Sequence, residues 1–249
     1  MAVTYVRRFR MELDLETRRP APPRLPEGYA VFAWPTSETI AEASAGPSVE
    51  APVEPQSGDL SRRHASVKWR SFAGELDSRV FPSLGEPTGC DRLMRSICEQ
   101  PQFIPQATLL LCWNAEPDDP ASPADPAPLP LDSTVWEDCG TIQCLGRLRT
   151  APAGAGGVTN RHAQADRTMG TAAIQNVGIV PEHRGCGMGR AIVEHCLAAL
   201  YTTGFDRVSL EVTAANDRAV ALYESLGFRL RRTVYKPVKL PRRTAALFG

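Results

Sequence analysis

Val180–Ile192, VPEHRGCGMGRAI, places three glycines (Gly185, Gly187 and Gly189) within five residues. They follow Arg184 directly and run into an apolar pattern of helical period. Glycine inside a helix costs roughly 1 kcal/mol relative to alanine, so a cluster at a helix start implies that something approaches the backbone there. Unpaired N–H groups in a first helical turn, with the helix dipole behind them, favour an anion. The GKS/T ending of a P-loop is absent, and GCGMGR is not the GxGxxG that follows the first strand of a dinucleotide unit.

Downstream the pattern is clear. Apolar residues at 192, 196, 197 and 200 give a helix from Met188, closed by Gly204. RVSLEVT alternates, with Val208, Leu210 and Val212 on one face and Ser209, Glu211 and Thr213 on the other. In NDRAVALYESLGF, Ala219, Leu222, Tyr223 and Leu226 recur at i, i+3, i+4 and i+7, between Asn216 as cap and Gly227 as stop. FRLRRTVYK reads as a last strand.

Upstream, RRFRMELDL places Phe9, Met11 and Leu13 on one face of a strand, and YAVFAW, ATLLLCW, TVWEDCGTIQCLGRL and GTAAIQNVGIV read as further strands, the last two as a hairpin. Residues 61–77 and 89–99 read as helices with weaker patterns. Stretches near 37–59, 114–133 and 151–168, rich in Pro, Ala, Gly, Ser and Asp, read as insertions in a single α/β domain spanning 1–249.

Composition narrows the partners. A formal net charge of zero over 249 residues gives no global basic field, so nucleic acid is not an expected partner. No segment approaches the ~20 apolar residues of a membrane span, and the start MAVTYVRRFRMELDLE is too charged for a signal peptide, which predicts a cytoplasmic protein. Seven cysteines without a CxxC pair fit reduced thiols, and no metal site is expected.

Arg184, Gly187 and Gly189 form R-x-x-G-x-G. Asn216, Ala219, Leu222, Tyr223, Gly227 and Phe228 form N-x-x-A-x-x-L-Y-x-x-x-G-F. Over residues 172–236 these two signatures resemble the GNAT superfamily of N-acetyltransferases, and within it the bacterial enzymes that acetylate the N-terminal amine of a ribosomal protein. The resemblance implies a mixed, mostly antiparallel sheet flanked by helices and acetyl-CoA as co-substrate. It assigns the backbone of Val177, Gly178 and Ile179 to the pantetheine arm, the loop Arg184, Gly185, Cys186, Gly187, Met188, Gly189 and Arg190 to the pyrophosphate, and Asn216 to the arm as well as to its helix cap. It gives Tyr223 the role of acid toward the leaving thiolate and leaves that of base to Glu211 or water, with Glu75 and Asp77 as runners-up that would otherwise cap and solvate a helix. The acceptor would be an amine, of a protein N-terminus or a small molecule, attacking the thioester directly. The rival is a catalytically silent acyl-CoA-binding module that recognises a protein. RLRRTVYKPVKLPRR, with seven basic residues and no acid, reads as a solvated edge and tail, or as a contact for the 3′-phosphate of CoA or an acidic partner.

Overall fold

The computed structural model describes residues 4–36, 57–114, 136–148 and 170–238. The insertions expected near 37–59, 114–133 and 151–168 lie outside these residues, apart from Asn114 and from 57–59, where a helix has already begun.

Among the described residues, seven strands form one sheet in the order β2-β3-β4-β5-β6-β1-β7. They are β1 (Thr4–Asp14), β2 (Tyr29–Ala33), β3 (Leu109–Trp113), β4 (Glu137–Leu148), β5 (Gly170–Ile179), β6 (Arg207–Thr213) and β7 (Arg229–Val238). The helices are α1 (Leu15–Arg18), α2 (Ser57–Phe72), α3 (Leu76–Val80), α4 (Pro87–Cys98), α5 (Met188–Thr202) and α6 (Asp217–Ser225). Every pairing is antiparallel except that of β5 with β6. The expected hairpin pairs β4 with β5.

The main core joins Met11 and Leu13 of β1, Leu109–Leu111 of β3, Ile192, Val193 and Leu197 of α5, and Val208, Leu210 and Val212 of β6. The alternation in RVSLEVT placed the last three correctly. Phe9 is only partly buried, whereas Arg8, on the strand's other face, is 6% exposed.

The region read as one helix over 61–77 is two. α2 ends at Phe72, and Gly74, at φ +79°, turns the chain before α3 starts at Leu76. The weak pattern has a physical cause, because α2 buries polar side chains: Ser61, His64, Lys68 and Ser71 lie at helical spacing and none is more than 4% exposed. His64 Nδ1 and Thr141 Oγ1 share a hydrogen bond of 2.8 Å. Lys68 is fully enclosed beside a second apolar cluster containing Ala65, Leu84, Cys90 and Met94, where Nζ lies 3.9 Å from Met94 Sδ.

Burial lowers the Lys68 ammonium from 10.5 to about 8. Between those values the unfolded chain binds more protons than the folded one, so this lysine's contribution to stability rises with pH across that window. Lys68→Met therefore stabilises the protein by up to roughly 3 kcal/mol near pH 7. The margin over the parent narrows between pH 8 and pH 10, as denaturant titrations at the two values can check; a widening margin contradicts the enclosed ammonium.

Candidate active site

β5 and β6 run in parallel register only at Thr171–Arg207, Ala172–Val208 and Ala173–Ser209. Beyond these pairs they part, and a bulge accompanies the parting. Gln175 is an extra residue on β5 between the pairs Cys144–Ile174 and Gln143–Asn176 with β4. A bulge bends its strand and raises the local twist, which turns β5 away from β6. The gap opens into a cavity of about 470 Å³, to which both strands contribute, from Ala173 to Val177 and from Ser209 to Val212.

Of the residues assigned from the sequence, Val177, Glu211, Asn216 and Tyr223 line this cavity. Asn216 caps α6, its side-chain oxygen accepting from the Ala219 N–H at 3.1 Å. Tyr223 is 8% exposed and packs edge-to-face on Phe228 at 5.8 Å. Burial is the main force raising its phenol above the ordinary value; the Asp77 carboxylate adds to the rise and Arg8 opposes it. Tyr223 is thus a neutral hydroxyl at physiological pH.

Gly178 and Ile179 are not among the cavity's lining residues. Gly178 has a packing reason, since a Cβ there would lie 2.8 Å from that of Ser71 on α2.

The floor of the site is ionic. Arg8 Nη1 donates to Asp77 Oδ1 at 3.0 Å and to Thr213 Oγ1 at 2.8 Å, and Nη2 donates to the Glu211 carbonyl at 2.8 Å. The Thr213 hydroxyl donates to Asp77 Oδ1 at 2.6 Å. The guanidinium lies over the Phe81 ring at 4.8 Å. Glu211 Oε2 is 3.8 Å from both Arg8 Nε and Lys236 Nζ. Asp77 is therefore a cavity residue held by Arg8 and Thr213, where the sequence suggested a solvated helix start. Arg8 went unnoticed because an alternating strand reads its polar face as solvent-facing.

The glycine loop lies past the end of β5. Gly185 and Gly187 have φ of +82° and +88°, the left-handed region, and a Cβ at either would meet nothing within 4 Å. Both conformation and open space suit a backbone that is approached from outside. α5 starts at Met188 with Gly187 as N-cap, without a side-chain cap or an acid in its first turn, so its N–H groups and dipole are uncompensated by side chains. Gly189 differs, as a Cβ there would make ordinary contact with Leu222 and Ile179.

Neither flanking arginine has an idle guanidinium. Arg184 donates to the Ile179 carbonyl at 2.9 Å, to Glu75 Oε1 at 2.6 Å and to the Ser71 carbonyl at 2.7 Å, which ties the loop to the end of α2. Arg190 reaches Glu194 at 3.3 Å and also Ser225. Met188 is buried, while Cys186 is exposed with its thiol donating to the His183 carbonyl at 3.1 Å. A brace missed in the sequence is Tyr29, whose hydroxyl is 2.7 Å from His183 Nδ1. Burial first and Cys186 second push that phenol up to about 12. Glu75 serves the same end through Arg184 and gives no cap bond to α3. Among the described residues no group of three or more His, Cys, Asp or Glu is placed to hold a metal, and no helix is long and apolar enough to cross a membrane.

Residues 110–228 match the model of the acetyltransferase (GNAT) family. Mycothiol acetyltransferase of Thermobispora bispora is 49% identical over 71 residues, which are 28% of this chain and 24% of that protein. The ribosomal protein bS18-alanine N-acetyltransferase of Escherichia coli K12 is 42% identical over 67 residues, 26% of this chain and 45% of that protein. The chain thus spans less than half the length of either relative. A GCN5-related N-acetyltransferase from Sphaerobacter thermophilus aligns over 95% of this chain and 52% of its own, with 18% identity and a TM-score of 0.48.

Arg8 is expected to hold the floor together. Arg8→Met strands Asp77 in a mostly buried position and lowers stability by about 2–4 kcal/mol, as partners left unpaired usually do. In a denaturation cycle, the pair Arg8→Met with Asp77→Leu is expected to be less destabilised than the two single changes summed; strict additivity would contradict the coupling.

Proposed function

We propose, from the match of residues 110–228 to the acetyltransferase (GNAT) family, that the protein transfers an acetyl group from acetyl-CoA to a primary amine by direct attack in a ternary complex. The observation that carries this reading is the parting of β5 from β6. It leaves one edge of β5 facing the cavity that holds Tyr223 and Glu211, with the uncapped start of α5 just past the strand's end.

In this reading the backbone from Val177 to Ile179 pairs with the pantetheine arm, and Asn216 adds a polar contact beside it. The N–H groups from Gly185 to Arg190 receive the pyrophosphate. Arg184 acts indirectly, by fixing the loop to α2. The open space at Gly185 and Gly187 fits such a ligand, because a side chain at either would stand where the phosphates come.

The chemistry needs a proton taken from the amine and one given to sulfur. At pH 7 an α-amine is neutral in roughly one molecule in ten and a lysine amine in about one in two thousand, so a base or a water chain must assist. Glu211 takes this proton directly or through water, at the cavity's ionic side. As the new C–N bond forms and the C–S bond breaks, negative charge grows on sulfur. The Tyr223 hydroxyl, kept neutral by burial, donates to it. An acetylated amine and free CoA result. The acceptor is an amine of a protein N-terminus or of a small molecule, in keeping with the similarity to a ribosomal-protein bS18-alanine N-acetyltransferase and to a mycothiol acetyltransferase.

Tyr223→Phe retains the ring on Phe228 and removes the donor. The expected result is a fall of about 10²-fold or more in kcat with little change in CoA affinity; unchanged single-turnover rates would reduce Tyr223 to a packing residue. Gly187→Val meets no neighbour in the fold but is strained by roughly 1–2 kcal/mol at this φ. Calorimetry is expected to find CoA binding lost in a protein whose circular dichroism is native, and retained binding would remove the pyrophosphate from this loop.

A further inference from the structure

Resting on the acyl-transfer reading, a further inference concerns which amines the cavity admits. Its two walls differ in character. The sheet side carries the charged groups Arg8, Arg10, Glu211 and Lys236, set among the short or aliphatic residues of β5 and β6. The helical side adds Asp77 and Ser83 and is otherwise apolar, with Phe72 at the end of α2, Phe81 and Leu84 in the turn after α3, and Leu93 and Ile97 on α4. Phe72, Phe81 and Leu93 are only partly buried against the second apolar cluster. They therefore keep hydrocarbon surface turned to the cavity, and Phe81 is fixed beneath the Arg8 guanidinium. The proposed pantetheine path follows β5 on the sheet side, which leaves the helical wall to the other reactant. Water against such a wall is replaced favourably by an apolar group.

The ionisable lining adds a second constraint. It contains three cations (Arg8, Arg10 and Lys236) and two carboxylates. Both carboxylates already face cations, Asp77 with Arg8 at 3.0 Å and Glu211 with Arg8 and Lys236 at 3.8 Å. Arg10 faces Glu12, which is outside the lining, at 3.9 Å, so a second positive charge on the acceptor would find each lining carboxylate already engaged.

We infer that the acceptor is a monoamine with an apolar aliphatic or aromatic body, seated on Phe72, Phe81 and Leu93, with Leu84 and Ile97 packed behind them, and that polyamines and lysine-like diamines are excluded. One apolar side chain seated or lost in such a pocket changes selectivity by about 10- to 100-fold.

The test is an acceptor panel on the unaltered protein with saturating acetyl-CoA: leucinamide, phenylalaninamide, glycinamide, lysinamide and spermidine, read by CoA release and product mass. Leucinamide and phenylalaninamide are expected to exceed glycinamide by about 10- to 100-fold in kcat/KM, with lysinamide and spermidine no better than glycinamide. Leu93→Asn is expected to reduce the leucinamide-to-glycinamide ratio by about tenfold, and Ile97→Ala to reduce it as well. A flat panel, a preference for lysinamide or spermidine, or a ratio untouched by both substitutions overturns this assignment and leaves acyl transfer standing. Acetyl-CoA bound without transfer to any of the five amines overturns the acyl-transfer reading, and the acceptor class with it.

Discussion

β5 and β6 share three residue pairs and then separate at the Gln175 bulge, and the rest of the site follows from that separation. Backbone N–H and C=O groups are obligatory hydrogen-bonding groups. Strands that part inside a sheet therefore present facing edges that seek partners from outside the sheet. The elements that follow each strand supply the remainder. After β5 the chain makes a left-handed glycine turn and starts α5 without a side-chain cap, and after β6 it starts α6, which carries Tyr223. The cavity and the uncapped helix start beside it are thus products of topology, filled in by a few side chains.

The far side of the gap is closed by the first strand of the chain. β1 lies between β6 and β7, antiparallel to both, and brings Arg8 under the cavity. The contacts of Arg8 with Asp77, Thr213 and the Glu211 carbonyl tie together β1, α3 and β6, three parts remote in sequence. Both Arg8 and Asp77 lie outside the residues matched to the family, 110–228. The residues that the sequence motifs single out therefore lie in the C-terminal part of the chain, whereas Arg8, Asp77 and the apolar wall come from the N-terminal half.

This division explains what the sequence disclosed. The glycine turn, the N-cap Asn216 and the alternation of β6 are local features, set by φ, capping chemistry and period two, and they stand in the structure where the sequence placed them. The mixed, mostly antiparallel sheet was expected only through the family resemblance that these motifs carry. Arg8 and Asp77 were not legible as a pair, because a polar residue on an alternating strand looks the same whether it faces solvent or a cleft. α2 was blurred by its inward His64 and Lys68, which break the apolar period, and its separation from α3 depends on Gly74 in an otherwise helix-compatible run. Arg184 illustrates a finer limit: the motif marks the residue, but only the fold shows its guanidinium bound to Glu75 and two carbonyls.

The central claim is that the cavity-facing edge of β5 and the first turn of α5 together receive one ligand, and amide hydrogen exchange with and without saturating acetyl-CoA reads this directly. The account predicts slowed exchange confined to two stretches, residues 175–179 and 185–190, with no change along the β7 edge. Protection absent from both stretches at saturation, or concentrated on β7, would contradict it.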